Sequence, residues 1–159
     1  MIKKDLILNK LLILGIGNLL MGDEGVGIHV VRYMQNNYRI PNTDIVDGGT
    51  GGFYLLEYLH SYPTVFLVDA TMDGKPPGVV NILRPKYSND YPPTLTAHDI
   101  GLKDLLDSLY LMNKKPDIWL FTISISDVNS MSLNISTKIH EAIPNIAQFI
   151  MKQIDLINN

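Results

Sequence analysis

LLILGIGNLLMGDEGVG, residues 11–27, decides the fold class. Its first six residues form an apolar run ending among glycines, the pattern of a short strand buried on both faces. A helix pattern follows from about Glu24 to Gln35, with Val26, Val30, Val31 and Met34 as its apolar stripe. Strand, glycine turn and helix in this order invite a nucleotide motif, and two fail. GxGxxG needs a glycine at position 20, where the chain has Leu20. GxxxxGK[ST] is met by Gly17 and Gly22, but Asp23 and Glu24 then stand where a lysine and a hydroxyl residue belong. Two carboxylates repel the phosphate that the helix dipole would attract. Taken alone, Asp23 would cap the helix and Glu24 would complement its dipole.

The alternation continues outward. TDIVD (43–47) reads as a second strand, followed by the turn GGTGG and a helix from about Phe53 to Leu59. TVFLVDA (64–70) is a third buried strand and GVVNIL (78–83) a weaker fourth. Leu102, Leu105, Leu106, Leu109 and Met112 recur at helical spacing over Asp99 to Met112. DIWLFTISI (117–125) is a fifth strand, rich in β-branched and aromatic residues. From about Ser136 to Leu156 the pattern is one helix, which Pro144 kinks or splits. Strands separated by helices predict a mostly parallel sheet in an α/β sandwich. The loops starting at Gly15, Asp47 and Asp69 then share one rim, at the carboxyl ends of the strands.

Composition narrows the classes. The 159 residues fit one domain spanning 1–159, with 46% hydrophobic and 18% charged residues. A net charge of −3 and a pI near 5.7 recommend neither a nucleic-acid nor an anionic-membrane partner. The lack of cysteine excludes disulfides, thiolate metal sites and a cysteine nucleophile, and fits a cytoplasmic protein. Lys3 and Lys4 precede an apolar run, but Asp5, Asn9 and Lys10 interrupt it, so a core strand is read there rather than a signal peptide. No apolar segment approaches the ~20 residues of a membrane span.

Three side chains stand out chemically. Asp69 closes an apolar strand, where a charge is costly unless paired, hydrogen-bonded or ligating. His98 lies just before a helix whose N-cap is Thr96 or Asp99, and Glu24 opens the helix after the first strand. Together they would form an O,O,N set suited to zinc or nickel, with open positions for water or substrate. Such an ion would polarise a carbonyl and activate water for hydrolysis. His29, His60 and His140 lie on or beside helical patterns without obvious acidic partners and are read as structural. The chain contains neither HExxH nor GxSxG.

At this point the chain resembles a family. GIGNLLMGDEGVGIHVV, DGGTGGFYLLEYL, VFLVDATMDGKPPGVV, TAHDIGLKDLL and NISTKIHEAIPNI occur in the order and spacing of the [NiFe]-hydrogenase maturation endopeptidases. The resemblance implies a three-layer α/β/α sandwich around a five-stranded, mainly parallel twisted sheet. It also implies a peptidase, sometimes classed as aspartic-type, that removes the C-terminal tail of a nickel-loaded hydrogenase large-subunit precursor. Carried over by motif, Glu24, Asp69 and His98 are the catalytic and metal-contacting residues. Asp47 matches a family acid implicated in substrate or nickel recognition, and with Gly48, Gly49 and Thr50 it is the implied substrate-binding turn. Nickel is implied as cargo of the precursor, with zinc or cadmium able to substitute in vitro. The expected partner is that precursor, and the expected state is a cytoplasmic monomer. The alternative is a metal-sensing or scaffold domain of the same fold that cleaves nothing. One departure is visible: after the fifth strand many relatives read GIEP, whereas this chain has TISISDVNSMSLN (122–134).

Overall fold

The computed structural model describes residues 10–92, 99–113, 116–126 and 131–159. Strands β1 (Leu11–Gly15), β2 (Thr43–Asp47), β3 (Thr64–Thr71), β4 (Val80–Leu83) and β5 (Asp117–Ser124) form one sheet in the order β2-β1-β3-β5-β4. Pairs β1–β2, β1–β3 and β3–β5 are parallel, and edge strand β4 is antiparallel to β5. Between the strands lie α1 (Val26–Asn37), α2 (Leu55–Ser61), α3 (Asp99–Leu111) and, at the C-terminus, α4 (Thr137–Asn158).

The chain leaves β1 toward β2 and then crosses back to β3 on the other side of β1. Right-handed crossovers in opposite directions put successive helices on opposite faces. Two cores show this. Val26, Val30, Val31 and Met34 of α1 pack with Ile139, Ile143, Ile146, Ala147, Ile150 and Ile154 of α4 over one face. Leu55 and Leu59 of α2 and Leu106 and Leu109 of α3 cover the other, against Leu12, Leu14, Val65, Leu67, Ile118 and Leu120. The three layers and the five-stranded, mainly parallel sheet are those expected.

Four local expectations differ. Residues Gly22–Gly25 form a 3₁₀ turn before α1, whose N-cap is Gly25 without a side-chain cap, so Asp23 caps no helix of its own. Helix α2 starts at Leu55 rather than Phe53, leaving Phe53 and Tyr54 exposed. Helix α3 ends at Leu111, which turns Met112 out of the apolar stripe to 52% exposure. Pro144 lies inside α4 without dividing it. A proline there forfeits only the bond to the His140 carbonyl. The six buried apolar residues of α4 and the Ser136 cap, which accepts the Ile139 N–H, hold the helix across that gap.

Two glycines set the distance between α1 and the sheet. A methyl group on Gly27, in the first turn of α1, would fall inside contact distance of the Val68 and Ile16 carbonyl oxygens. One on Gly15 would meet the Gly27 carbonyl and Val31. The carbonyls at both positions are backbone and cannot swing aside. Gly27→Ala is expected to cost about 3 kcal/mol or more of folding stability in urea unfolding. Gly74→Ala is the comparison: its φ of 78° is left-handed, but no atom lies within 4 Å of the new methyl. About 1 kcal/mol is expected there. Equal losses would refute the close-packing account.

Candidate functional site

The register of the sheet brings the predicted rim together. Gly15 at the end of β1 is paired with Asp47 of β2 on one side and Val68 of β3 on the other. The strand order reverses between β1 and β3, where crevices of open α/β sheets take their ligands. Backbone bonds stitch the loops to each other. The Gly48 N–H donates to the Gly15 carbonyl at 2.8 Å, and the Gly17 N–H to the Gly49 carbonyl at 2.9 Å. The Ile16 N–H donates to the Val68 carbonyl at 2.9 Å.

Glu24 sits in the 3₁₀ turn, half-buried, its N–H donating to the Met21 carbonyl at 3.2 Å. Among the described residues its carboxylate makes no hydrogen bond or ion pair. Asp23 is engaged. Its Oδ1 accepts the Ser136 N–H at 2.7 Å, tying the acid turn to the start of α4. Gly22 and Leu20 add a parallel bridge to Ser132: the Gly22 N–H donates to the Ser132 carbonyl at 2.7 Å, and the Ser132 N–H to the Leu20 carbonyl at 2.8 Å. The segment that departs from the GIEP pattern is therefore bonded to the acid turn.

Asp69 is fully buried near the end of β3, and its Oδ1 accepts the Ala70 N–H at 2.8 Å. It follows Val68, the residue whose carbonyl Gly27 abuts. Glu24 and Asp69 thus belong to elements packed on each other at one end of the sheet. His98, with Thr96, lies outside the described residues, immediately before α3 in sequence. Among the described residues no three His, Cys, Asp or Glu side chains group closely enough to hold an ion.

Asp47 is held on both oxygens. Arg32 Nε donates to Oδ2 at 3.0 Å and Nη2 is ion-paired with the same oxygen at 2.8 Å, while the Gly49 N–H donates to Oδ1 at 2.9 Å. The Tyr54 hydroxyl donates to the Gly48 carbonyl. Gly49 and Gly51 take φ of 57° and 79°, a left-handed backbone suited to glycine. Thr50 is exposed at the tip of this turn. Arg32 was not legible as Asp47's partner, because the two lie on different elements 15 residues apart.

His29 also departs from expectation, since it does have acidic neighbours. Burial holds its imidazole below the ordinary histidine range, and the charges of Arg32 and His140 push the same way, while Asp23 and Asp47 oppose them. Its Nε2 is buried without a hydrogen-bond partner among the described residues.

Comparison with known proteins gives one answer. Residues 28–153 match the family model described as hydrogenase maturation protease. This span includes Asp47, Asp69 and His98 and begins after Glu24. The chain is 33% identical over 113 residues to the hydrogenase expression/formation protein HupD of Bradyrhizobium diazoefficiens, covering 68% of this chain and 58% of that one. It is 32% identical over 114 residues to the hydrogenase 2 maturation protease of Escherichia coli, covering 67% of each. The chain spans about half the length of most curated relatives it matches. The hydrogenase maturating endopeptidase HybD of E. coli superposes with a TM-score of 0.78 at 24% identity, over 92% of both chains, which shows the fold.

The His29 environment has a pH consequence. An imidazole whose folded pKa is depressed contributes stability above its unfolded pKa and loses it as pH falls through the folded value. The melting temperature is expected to fall between about pH 7 and pH 5, and to fall less in His29→Gln. Identical pH profiles for the two proteins would assign the loss to another group.

Proposed function

The chain belongs to the hydrogenase maturation protease family, and from that premise we propose that it is an endopeptidase trimming the C-terminal tail of a nickel-loaded [NiFe]-hydrogenase large-subunit precursor. The observation that carries this reading is the half-buried Glu24 carboxylate, held at the switch point beside the strand of Asp69 with no partner among the described residues. A carboxylate kept out of hydrogen bonds at a packed rim suits a cation that arrives with a substrate.

Nickel is then part of the substrate. Glu24, Asp69 and His98 would hold it, as an O,O,N set that leaves positions for the precursor's own ligands and for water. The ion supplies positive charge that polarises the scissile carbonyl. Asp47 serves differently. With Arg32 and Gly49 occupying both its oxygens, it orders the turn from Gly48 to Thr50, and that turn offers backbone groups to the incoming chain. Hydrolysis consumes one water: its oxygen bonds to the carbonyl carbon, the C–N bond breaks, and the amine leaves with a proton.

The test is mass spectrometry of a nickel-loaded precursor incubated with wild-type protein and with Glu24→Gln, Asp69→Asn and His98→Ala, each checked for fold by circular dichroism. Wild type releases the tail, and each variant slows release by about 100-fold or more. Wild-type rates in all three variants would falsify the site. Precursor binding without tail release by the wild type would favour the metal-sensing or scaffold reading.

A further inference from the structure

Strands β3 and β5 change polarity along one face. On the side covered by α2 and α3, their first halves are apolar, with Val65 and Leu67 on β3 and Ile118 and Leu120 on β5. Further along, the same alternation places Asp69 and Thr71 on β3 and Thr122 and Ser124 on β5. They stand in register as Asp69 with Thr122 and Thr71 with Ser124. Each is at most 2% exposed, and they are the buried polar residues found among the described ones. A buried polar patch has replaced the core at the end of the sheet where the turn of Glu24 packs on the strand of Asp69.

Ser124 is the informative member. Its N–H donates to the Val79 carbonyl at 2.8 Å, and its carbonyl accepts the Gly78 N–H at 2.9 Å. The next N–H, of Ile125, donates to the Thr71 carbonyl at 2.9 Å. The backbone is therefore fixed from both neighbouring strands. The side chain is fully buried, yet its Oγ has no hydrogen-bond partner among the described residues. An alanine would fill nearly the same space without burying an unsatisfied hydroxyl, so the serine is costly to the fold. Such a cost is expected where a group is reserved for a reaction.

We propose that Ser124 is a further catalytic residue: its hydroxyl hydrogen-bonds the water that attacks the scissile carbonyl and holds that water beside Asp69. This rests on the protease reading above. Strand geometry supports the pairing. Ser124 lies one strand across and two residues along from Asp69, a Cα separation of about 8 Å. Two side chains on one face at that spacing can share a single oxygen between them. The hydroxyl forms no covalent bond. The water oxygen bonds to the carbonyl carbon, the C–N bond breaks, one water proton goes to the departing amine and the other leaves the new carboxylic acid to solvent. A group that holds only the attacking water acts on turnover rather than on precursor binding.

The experiment is Ser124→Ala in the full chain, measured for kcat and KM on the nickel-loaded precursor and for melting temperature without it. The expected result is a kcat lowered at least about tenfold, an unchanged KM and a melting temperature equal to or above that of wild type. An unchanged kcat overturns the inference, as does a raised KM with kcat intact. A melting temperature several degrees lower, or failure to fold, makes the hydroxyl structural and overturns it too. A wild type that cuts nothing sinks the protease reading and this inference with it. A cutting wild type beside an equally active Ser124→Ala sinks this inference alone.

Discussion

The rim depends on how closely α1 lies on the sheet. Gly27 rests against the carbonyls of Ile16 and Val68, and Gly15 against the carbonyl of Gly27. Helix and strands meet there through backbone alone, nearer than any side chain permits. This contact puts the turn before α1 over the end of β3, so Glu24 is delivered to the strand that carries Asp69. The glycines that resemble a phosphate cradle are a packing device, and the acids beside them disfavour a phosphate there.

Around that contact the loops form a fabric of main-chain bonds. The first loop is tied to the second through Gly48 and Gly49, and to the segment after β5 through Ser132. Asp23 extends it to the start of α4 through Ser136. The two adjacent acids of GDEG are thereby separated in role: one is a structural acceptor and the other keeps its carboxylate out of hydrogen bonds among the described residues. The segment that departs from the GIEP pattern is bonded to the acid turn through the backbone of Ser132.

The layers and strands were legible because burial on both faces writes itself as unbroken apolar runs, as in residues 11–14 and 65–68. The rim was legible for the same reason, since parallel strands put Gly15, Asp47 and Val68 side by side once the sheet is assumed. What escaped was tertiary. Asp23 has the sequence of a helix cap, but a 3₁₀ turn intervenes and its carboxylate reaches a residue 113 positions away. Pro144 has the sequence of a helix break, and burial along α4 overrides it. Met112 continues a heptad-like spacing, but α3 has already ended. His29 was read as structural and Arg32 was given no role, and only the packing of β2 beside that helix makes them neighbours of Asp47. The His98 position lies outside the described residues, so its place in the ligand set rests on motif.

These features share an energetic logic. The upper ends of β3 and β5 exchange apolar burial for Asp69, Thr71, Thr122 and Ser124, where the lower halves carry Val65, Leu67, Ile118 and Leu120 on the same face. A sheet optimised only for stability would extend its core to the rim. The loss is tolerable because the lower halves of the strands and the face beneath α1 and α4 are continuously apolar. The helix dipole adds a second element, since the N-terminal end of α1 favours an ionised carboxylate in the turn before it. The same backbone brings the turn of Glu24 close to β3. On one strand-turn-helix frame, the two residues that follow a glycine can therefore either favour a phosphate or repel it.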